Sequence, residues 1–170
     1  MKLITANLFQ ELKELSQDAI HICWVVAFTM KSGVKLILVD LQAAEARGCQ
    51  IQLLVGDYLC ITQPEALRQL VQGLPNAEIR LYQSYGRSFH PKAYLFRNED
   101  GQQVIVGSSN LSKSALTTGV EWSLQTVDLP TFEHAMEEFN RLFSNLNTIP
   151  INVETIKLYE ARYQTANQLT

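Results

Sequence analysis

The sequence has 170 residues, of which 46% are hydrophobic and 18% charged, a composition typical of a globular protein with one domain and a substantial core. No apolar run approaches the ~20 residues that a membrane span needs, and a net charge of -3 argues against a protein that coats nucleic acid through its overall charge. We therefore expect a cytoplasmic protein, in which a local basic cleft remains compatible with this charge.

Helical and strand patterns alternate in the first half of the chain. Apolar residues at helical spacing predict helices over 3–18, 31–47 and 65–74. Runs rich in β-branched and aromatic residues predict strands over 19–28, 49–55 and 78–82. The first half therefore has the order αβαβαβ.

The second half opens with a predicted hairpin. Its strands are expected over 89–96 and 103–106, around a polar turn at 98–101. A short helix at 111–116, a strand at 120–127 and helices at 130–143 and 153–163 follow, before a polar tail at 164–170.

This order of elements predicts an α/β fold with a mixed β-sheet and helices on both faces. We expect residues 1–150 to form one domain and residues 151–170 a helical extension. The polar end of that extension is compatible with a natural terminus or with a link to a further domain.

The cysteines give no sign of a metal or disulfide framework. Cys23, Cys49 and Cys60 are odd in number, and none lies in a Cys-x-x-Cys spacing. We expect Cys23 and Cys49 to be core thiols, and we expect no metal and no cofactor.

The stretch FHPKAYLF combines a strand pattern with two polar residues that are unusual in such a pattern. Residues i and i+2 of a strand point to the same face, so His90 and Lys92 are expected side by side, in line with Tyr94. A titratable imidazole next to a fixed cation is typical of a site that acts on an anion.

The turn after the hairpin adds groups that suit a phosphate. Ser108 and Asn110 offer a hydroxyl and an amide as donors to phosphate oxygens, and a helix beginning at 111 would add backbone N–H groups. Glu121 opens the next predicted strand, and a carboxylate beside the imidazole of His90 can accept Nδ1–H and leave Nε2 as the nucleophile. Together these residues predict a phosphate-ester site that works without a metal.

These residues resemble the motif of the phospholipase D superfamily. That pattern is His-x-Lys-(x)4-Asp, then Gly-Ser-x-Asn, then an acidic partner of the histidine; here it reads His90-x-Lys92, Gly107-Ser108-x-Asn110 and Glu121. The sequence that flanks these residues includes GDYL, GRSFHPKAYLFR and GSSNLSKSALTTGVEW. It resembles the phospholipase D-like nuclease domain at the N-terminus of bacterial superfamily 2 (DEAD/DEAH-type) helicases and restriction-type proteins. Arg97 stands where the family has Asp.

The resemblance implies a phospholipase D-like fold with one HKD-type motif per chain. In the family, two motifs face each other, one histidine becomes a phosphohistidine and the other protonates the leaving oxygen. Since this chain has a single motif, the resemblance implies a homodimer. It also implies catalytic roles for His90, Lys92, Ser108, Asn110 and Glu121.

The function expected from this resemblance is a metal-independent phosphodiesterase, an endonuclease acting on nucleic acid, with DNA favoured, and linked to a helicase domain. A nucleic-acid-binding or dimerisation module with little hydrolysis is the alternative, given Arg97 and the acidic charge. Phospholipid hydrolysis is less favoured, because no amphipathic membrane segment with a basic face is evident and no membrane partner is expected.

Further residues are candidates for substrate binding. These are Arg87, Ser109 and Lys113, for which a solvated side chain (Arg87, Lys113) or a backbone turn (Ser109) is the alternative. Asp57 is expected to have a structural role, as a cap. Trp122 is expected in the core rather than as a platform for base stacking.

Overall fold

The structure is a computed structural model that describes residues 1–168, and one mixed sheet of eight strands dominates them. The strands are β1 Lys2–Ile4, β2 His21–Val26, β3 Gln50–Gly56, β4 Glu78–Tyr82, β5 Lys92–Arg97, β6 Gln102–Gly107, β7 Ser123–Thr126 and β8 Thr148–Pro150. The helices are α1 Leu8–Ser16, α2 Lys31–Ala46, α3 Pro64–Gly73, α4 Lys113–Leu116, α5 Leu129–Phe143 and α6 Val153–Gln168, with a 3₁₀ turn at Tyr58–Cys60.

The strand order is β1-β7-β6-β5-β2-β3-β4-β8. Strands β2, β3 and β4 run parallel, because the helices α2 and α3 connect them as crossovers. Strand β5 is antiparallel to both β2 and β6, so β6 runs in the same direction as β2. The carboxyl ends of β2, β3, β4 and β6 therefore meet at one edge of the sheet, together with the amino ends of β5 and β7.

Helices cover both faces of the sheet, as the sequence pattern predicts. Buried residues of α1, α2, α3, α4 and α6 share one core cluster with Trp24, Tyr94 and Ile105. On the other face, α5 supplies Phe132, Phe139 and Phe143 to a smaller cluster that includes Leu95 and Val104. Within residues 1–168, no helix is long and apolar enough to cross a membrane.

The predicted helix over 3–18 is wrong at its start, and a short strand at 148–150 was not predicted. Lys2–Ile4 forms β1, which pairs with β7, and Thr148–Pro150 forms β8, which pairs with β4. Both are three-residue edge strands, too short to show a period-2 pattern. Pairing with a distant strand fixes them, and a single sequence does not reveal such pairing.

The strand boundaries near the predicted site also differ. The strand predicted over 89–96 begins only at Lys92, and the one predicted over 120–127 covers Ser123–Thr126. His90 and Glu121 therefore lie in the segments that lead into β5 and β7. Pro91 explains the first change: it has no N–H, and its own carbonyl accepts from Ala27 N at 2.9 Å at the strand end.

The segment after residue 150 packs against the rest of the chain. Ile156 and Tyr159 of α6 are buried in the same cluster as α3, and Arg68 of α3 lies 2.7 Å from the Glu160 carboxylate. Helix α6 extends to Gln168, beyond the end predicted at 163; the last two residues of the predicted polar tail lie outside the described part. The domain boundary at 150 stays a prediction.

Candidate active site

The predicted site residues lie at the sheet edge where β2 and β6 end and β5 and β7 begin. The register places Lys92 opposite Val26, at the last residue of β2, and Gly107 opposite Ser123, at the first residue of β7. Open α/β sheets commonly bind ligands at the carboxyl ends of their strands. The topology therefore brings the His90 segment and the Ser108–Asn110 turn to one edge.

His90 is exposed and is bordered by two aromatic rings. The ring centroid of Phe28 lies 5.7 Å from that of His90, and the centroid of Tyr58 lies 5.2 Å away, both in edge-to-face geometry. Phe28 follows β2, and Tyr58 follows β3. Within residues 1–168, no hydrogen bond to the imidazole is present, so the contacts with the two rings hold this exposed side chain.

Lys92 and Tyr94 share one face of β5, and Tyr94 ties that strand to the Ser108–Asn110 turn. The Tyr94 hydroxyl donates to the Ser109 carbonyl at 2.7 Å, and the ring is 1% exposed. Burial, together with the nearby charge of Glu121, raises the pKa of Tyr94. The buried hydroxyl therefore stays neutral and acts as a fixed donor that positions the turn.

Asn110 is held in place through its carbonyl end. Its Oδ1 accepts the backbone N–H of Phe28 at 3.1 Å, while Leu111 N donates to the Phe28 carbonyl at 3.2 Å and Met30 N donates to the Leu111 carbonyl at 2.8 Å. No acceptor for the amide NH₂ of Asn110 is present among residues 1–168, so this group is available to a ligand. Its two donors can bind a phosphate oxygen beside His90.

Glu121 contacts Ser108, which differs from the contact with His90 that the sequence pattern suggests. The Ser108 hydroxyl donates to the Glu121 carboxylate and accepts the Trp122 N–H at 3.0 Å. Among the residues described, no hydrogen bond joins Glu121 to His90. Orientation of His90 by Glu121 stays a prediction.

The candidate substrate-binding residues have different surroundings. Ser109 is 1% exposed, and its hydroxyl donates to the Ala115 carbonyl at 3.3 Å, which favours the turn role over contact with substrate. Arg87 is exposed on the loop before His90, and Lys113 is exposed at the start of α4. Both side chains are accessible to a substrate, and their binding role stays a prediction.

Arg97 lies at the opposite edge of the sheet. It pairs with His21 at the first residue of β2, and its guanidinium carbon lies 5.0 Å from the ring centroid of Phe132. The position that holds Asp in the family is thus occupied by a cation that packs on α5, away from His90.

The expected position of Trp122 in the core is wrong, since the side chain is 62% exposed.

The close approach of α2 to the Ser108–Asn110 turn leads to a stability prediction. A Cβ on Gly33 would lie 2.2 Å from the carbonyl carbon of Leu111, a backbone atom that cannot rotate away. Although alanine favours a helix by ~1 kcal/mol over glycine, we expect Gly33→Ala to lower the free energy of unfolding by about 1–3 kcal/mol, as overpacking does. Urea denaturation measures this, together with the phosphodiester-cleavage rate.

Gly73→Ala is the matched control for that variant. Its Cβ would meet only side-chain atoms, the methyls of Leu38 at 2.9 Å and Nε2 of Gln42 at 3.3 Å, and these can move. We expect Gly73→Ala to have about the same free energy of unfolding as the wild type and about the same phosphodiester-cleavage rate. Equal stability of Gly33→Ala and the wild type would contradict the close packing of α2 on the turn.

Some neighbours of His90 carry no signal in the sequence. Phe28 and Tyr58 have the sequence pattern of aromatic residues at strand ends, and nothing in that local pattern indicates that they border the imidazole.

Asp57 is buried, accepts from Ser84 N and Ser84 Oγ, both at 2.9 Å, and forms an ion pair with Arg162 at 2.9 Å. Its structural role agrees with the expectation, although it ties distant segments instead of capping a helix.

Comparison with known proteins extends this description. The model of the family described as "Cardiolipin synthase, PLD-like domain" matches residues 10–143, a range that includes all the catalytic candidates. NucT from Helicobacter pylori has a similar structure, with a TM-score of 0.69 and 17% identity, over 88% of this chain and 98% of that chain.

Two further solved structures have the same fold. Nuc from Salmonella typhimurium, described as a phospholipase D family member, matches with a TM-score of 0.64 and 17% identity, over 84% of this chain and 90% of that chain. Phosphatidylserine synthase from Haemophilus influenzae Rd KW20 matches with a TM-score of 0.64 and 14% identity, over 98% of this chain but 46% of that chain. No curated protein matches the sequence.

The predicted phospholipase D-like fold is therefore confirmed. The family match covers most of the chain, and the solved structures share the mixed sheet with helices on both faces. The chain belongs to the family of phospholipase D-like domains whose model is described as "Cardiolipin synthase, PLD-like domain".

Proposed function

We propose that this protein is a metal-independent phosphodiesterase that cleaves nucleic acid, with DNA as the substrate, through a phosphohistidine at His90. The observation that carries the proposal is the exposed imidazole of His90 at the same sheet edge as Lys92, Ser108 and Asn110. A nucleophile, a cation and two neutral donors at one edge meet the chemical needs of phosphodiester cleavage.

The proposed reaction has two steps. Nε2 of His90 attacks phosphorus, and an N–P bond forms as the P–O bond to the leaving strand breaks. The leaving oxygen takes a proton from the imidazolium of the second copy's His90. Water then attacks phosphorus, gives a proton to that second imidazole, and the N–P bond breaks, which regenerates both histidines.

Lys92 and Asn110 have electrostatic roles in this scheme. The Lys92 ammonium neutralises a non-bridging phosphate oxygen, and the free NH₂ of Asn110 donates to another. Both are held before substrate arrives, Lys92 on β5 and Asn110 by its bond to Phe28 N. Preorganised donors of this kind stabilise developing charge without reorganisation.

The scheme needs two histidines of the same kind, and we propose that a homodimer supplies them. An apolar surface next to the site suits a second copy. Val106, Leu124 and Leu3 lie side by side on the α5 face of the sheet, because Leu124 pairs with both of the others. Their side chains are 51%, 44% and 53% exposed. We call these residues the apolar sheet face.

The position of the apolar sheet face supports a shared site. Val106 immediately precedes the Gly107-Ser108-x-Asn110 turn, and Leu124 lies close to Glu121 in the chain. A contact between two copies across a twofold axis uses the same patch on both, so it would bring the two Gly107-Ser108-x-Asn110 turns toward each other. The near-complete coverage of NucT and Nuc, against 46% of phosphatidylserine synthase, agrees with a chain that carries one half of a paired site.

Phospholipid cleavage is the second candidate function. The matching family model is described as a cardiolipin synthase domain, and one similar structure is a phosphatidylserine synthase. We favour nucleic acid because the sequence around His90-x-Lys92 and around Gly107-Ser108-x-Asn110 resembles that of the helicase-linked nuclease branch. The resemblance also leads us to propose a helicase domain after residue 170, which sequencing the downstream reading frame tests.

Activity is expected to persist in EDTA. Within residues 1–168, no group of three or more His, Cys, Asp or Glu side chains could hold a metal ion, and Lys92 supplies positive charge in the proposed mechanism. The assay incubates the purified protein with plasmid DNA and, separately, with phosphatidylcholine vesicles, each with and without EDTA.

Each outcome of this assay separates the candidate functions. Plasmid cleavage that EDTA leaves unchanged is the result we expect. Complete inhibition by EDTA that magnesium reverses would contradict the metal-independent mechanism. Release of choline without plasmid cleavage would instead support the lipid function, and binding of DNA without cleavage of either substrate would support a binding module.

A further inference from the structure

A cavity of about 380 Å³ opens beside His90, between the ends of β3 and β4 and helix α6. This volume lies within the ~300–1,000 Å³ range of small-molecule sites. Tyr58 lines the cavity, and its ring also contacts the His90 ring, with 5.2 Å between their centroids. A group bound in the cavity would therefore be separated from the attacking imidazole by one aromatic ring.

A preorganised cation forms one wall. Arg162 of α6 lines the cavity, and its Nη1 lies 2.9 Å from Oδ2 of Asp57, a carboxylate that is 3% exposed. Arg162 itself is 46% exposed, so the ion pair with the buried carboxylate fixes the guanidinium while other N–H donors remain accessible. Its positive charge opposes a cationic headgroup such as choline and suits a ligand that presents hydrogen-bond acceptors.

An exposed aromatic ring forms another wall. Tyr85 is 74% exposed, lines the cavity and precedes His90 by five residues. Within residues 1–168, four non-glycine residues have φ in the left-handed region, and three of them, Leu59, Cys60 and Tyr85, line this cavity. The chain thus accepts an unfavourable backbone conformation around the cavity while exposing a large ring to solvent.

We propose that this cavity binds the base of the nucleotide next to the scissile phosphate. In this arrangement the base packs against Tyr85 and Tyr58, and the acceptor atoms at its edge meet the N–H donors of Arg162. Since a base can enter the cavity only when it is unpaired, the proposal identifies single-stranded nucleic acid, or a locally opened duplex, as the substrate class. It rests on the proposed nuclease function.

A binding measurement tests this without requiring cleavage. In a His90→Ala background, fluorescence anisotropy compares a short oligothymidylate with the same backbone carrying abasic spacers and with a duplex. We expect Tyr85→Ala to weaken oligothymidylate binding by about 5- to 150-fold, the effect of losing one base–aromatic stack. Tyr85→Phe, which keeps the ring, is expected to bind within about twofold of the parent.

The abasic oligonucleotide is the decisive control. It should bind more weakly than oligothymidylate, and Tyr85→Ala should change its affinity little, because no base remains to stack. If Tyr85→Ala leaves oligothymidylate binding unchanged, or weakens the abasic strand equally, the base subsite is overturned. If Tyr85→Ala weakens the binding of glycerophosphocholine and of no oligonucleotide, the cavity is assigned to a lipid headgroup. That result would also overturn the base subsite.

Cys60 provides an independent readout of occupancy. It lines the cavity, whereas Cys23 and Cys49 are buried. Burial raises the pKa of the Cys60 thiol, so alkylation by iodoacetamide is expected to be slow at neutral pH and faster at alkaline pH. Saturating oligothymidylate should slow this reaction at least several-fold in the His90→Ala background, and an unchanged rate would contradict binding in the cavity.

Cleavage by the wild type distinguishes failure of this inference from failure of the proposed function. If base-dependent binding is found but no phosphodiester is cleaved, the proposed function fails and the base subsite stands. If single-stranded DNA is cleaved while binding depends on neither the bases nor Tyr85, the base subsite fails and the nuclease function stands.

Discussion

Replacing His90 by Ala is expected to lower the rate of DNA cleavage by at least ~100-fold, the scale for removing a central catalytic group. In the proposed scheme, the change removes both the nucleophile of one copy and the leaving-group acid of the other. Residual cleavage would have to use water directly, without the covalent intermediate. Single-turnover kinetics with the enzyme in excess measures the loss in the chemical step.

The fold should tolerate this change. His90 is exposed, and its contacts are edge-to-face packing on Phe28 and Tyr58, worth about 0.5–1.5 kcal/mol per aromatic pair at most. The control is His21→Ala. His21 is the first residue of β2, at the sheet edge opposite the site, and its ring forms a hydrogen bond with Gln52 at 2.7 Å. If His90→Ala cleaves DNA at the wild-type rate while His21→Ala loses cleavage activity, His90 has no role in the mechanism.

The second large effect is expected from a charge placed on the apolar sheet face. Leu124→Glu puts a carboxylate next to Val106 and Leu3, where a second copy would bury it without a partner. Desolvation of an unpaired charge is costly enough to dissociate a dimer. We therefore expect a folded monomer by light scattering and circular dichroism, and a drop in cleavage of at least ~100-fold, because each monomer retains one histidine of the required pair.

Val39→Glu is the matched control for Leu124→Glu. Val39 lies on α2, on the opposite face of the sheet, and is 68% exposed, so its replacement adds the same charge at a comparably accessible position. The control should remain dimeric and active. A Leu124→Glu protein that is monomeric and still cleaves DNA at the wild-type rate would exclude a site shared between two chains.

The parts of the fold that the sequence predicts are those with strong local patterns. The strand at Glu78–Tyr82 has the predicted boundaries, and the hairpin of β5 and β6 forms in antiparallel register, as the turn at 98–101 indicates. Helix α2 carries enough apolar residues at helical spacing to mark it without any tertiary information. The spacing of His90, Lys92, Ser108 and Asn110 likewise places them at one sheet edge once the hairpin is recognised.

The remaining features depend on contacts between residues distant in sequence. Strands β1 and β8 are fixed by pairing with β7 and β4, and His90 leaves the predicted strand because Pro91 interrupts it. In the folded chain Ser108 donates to Glu121, a contact that spacing alone does not reveal. The ion pair between Asp57, which follows β3, and Arg162 of α6 spans 105 positions, so the cavity that Tyr58 separates from His90 depends on tertiary structure.

Trapping the covalent intermediate tests the central claim most directly. The protein is mixed rapidly with end-labelled single-stranded DNA in EDTA and quenched with alkaline denaturant, because an N–P bond to histidine is labile in acid. Peptides are then mapped by mass spectrometry. We expect a DNA-linked peptide that contains His90, formed before product accumulates and missing in His90→Ala. Cleavage that proceeds in EDTA with no adduct at any time, or with the adduct on a residue other than His90, would contradict the phosphohistidine mechanism.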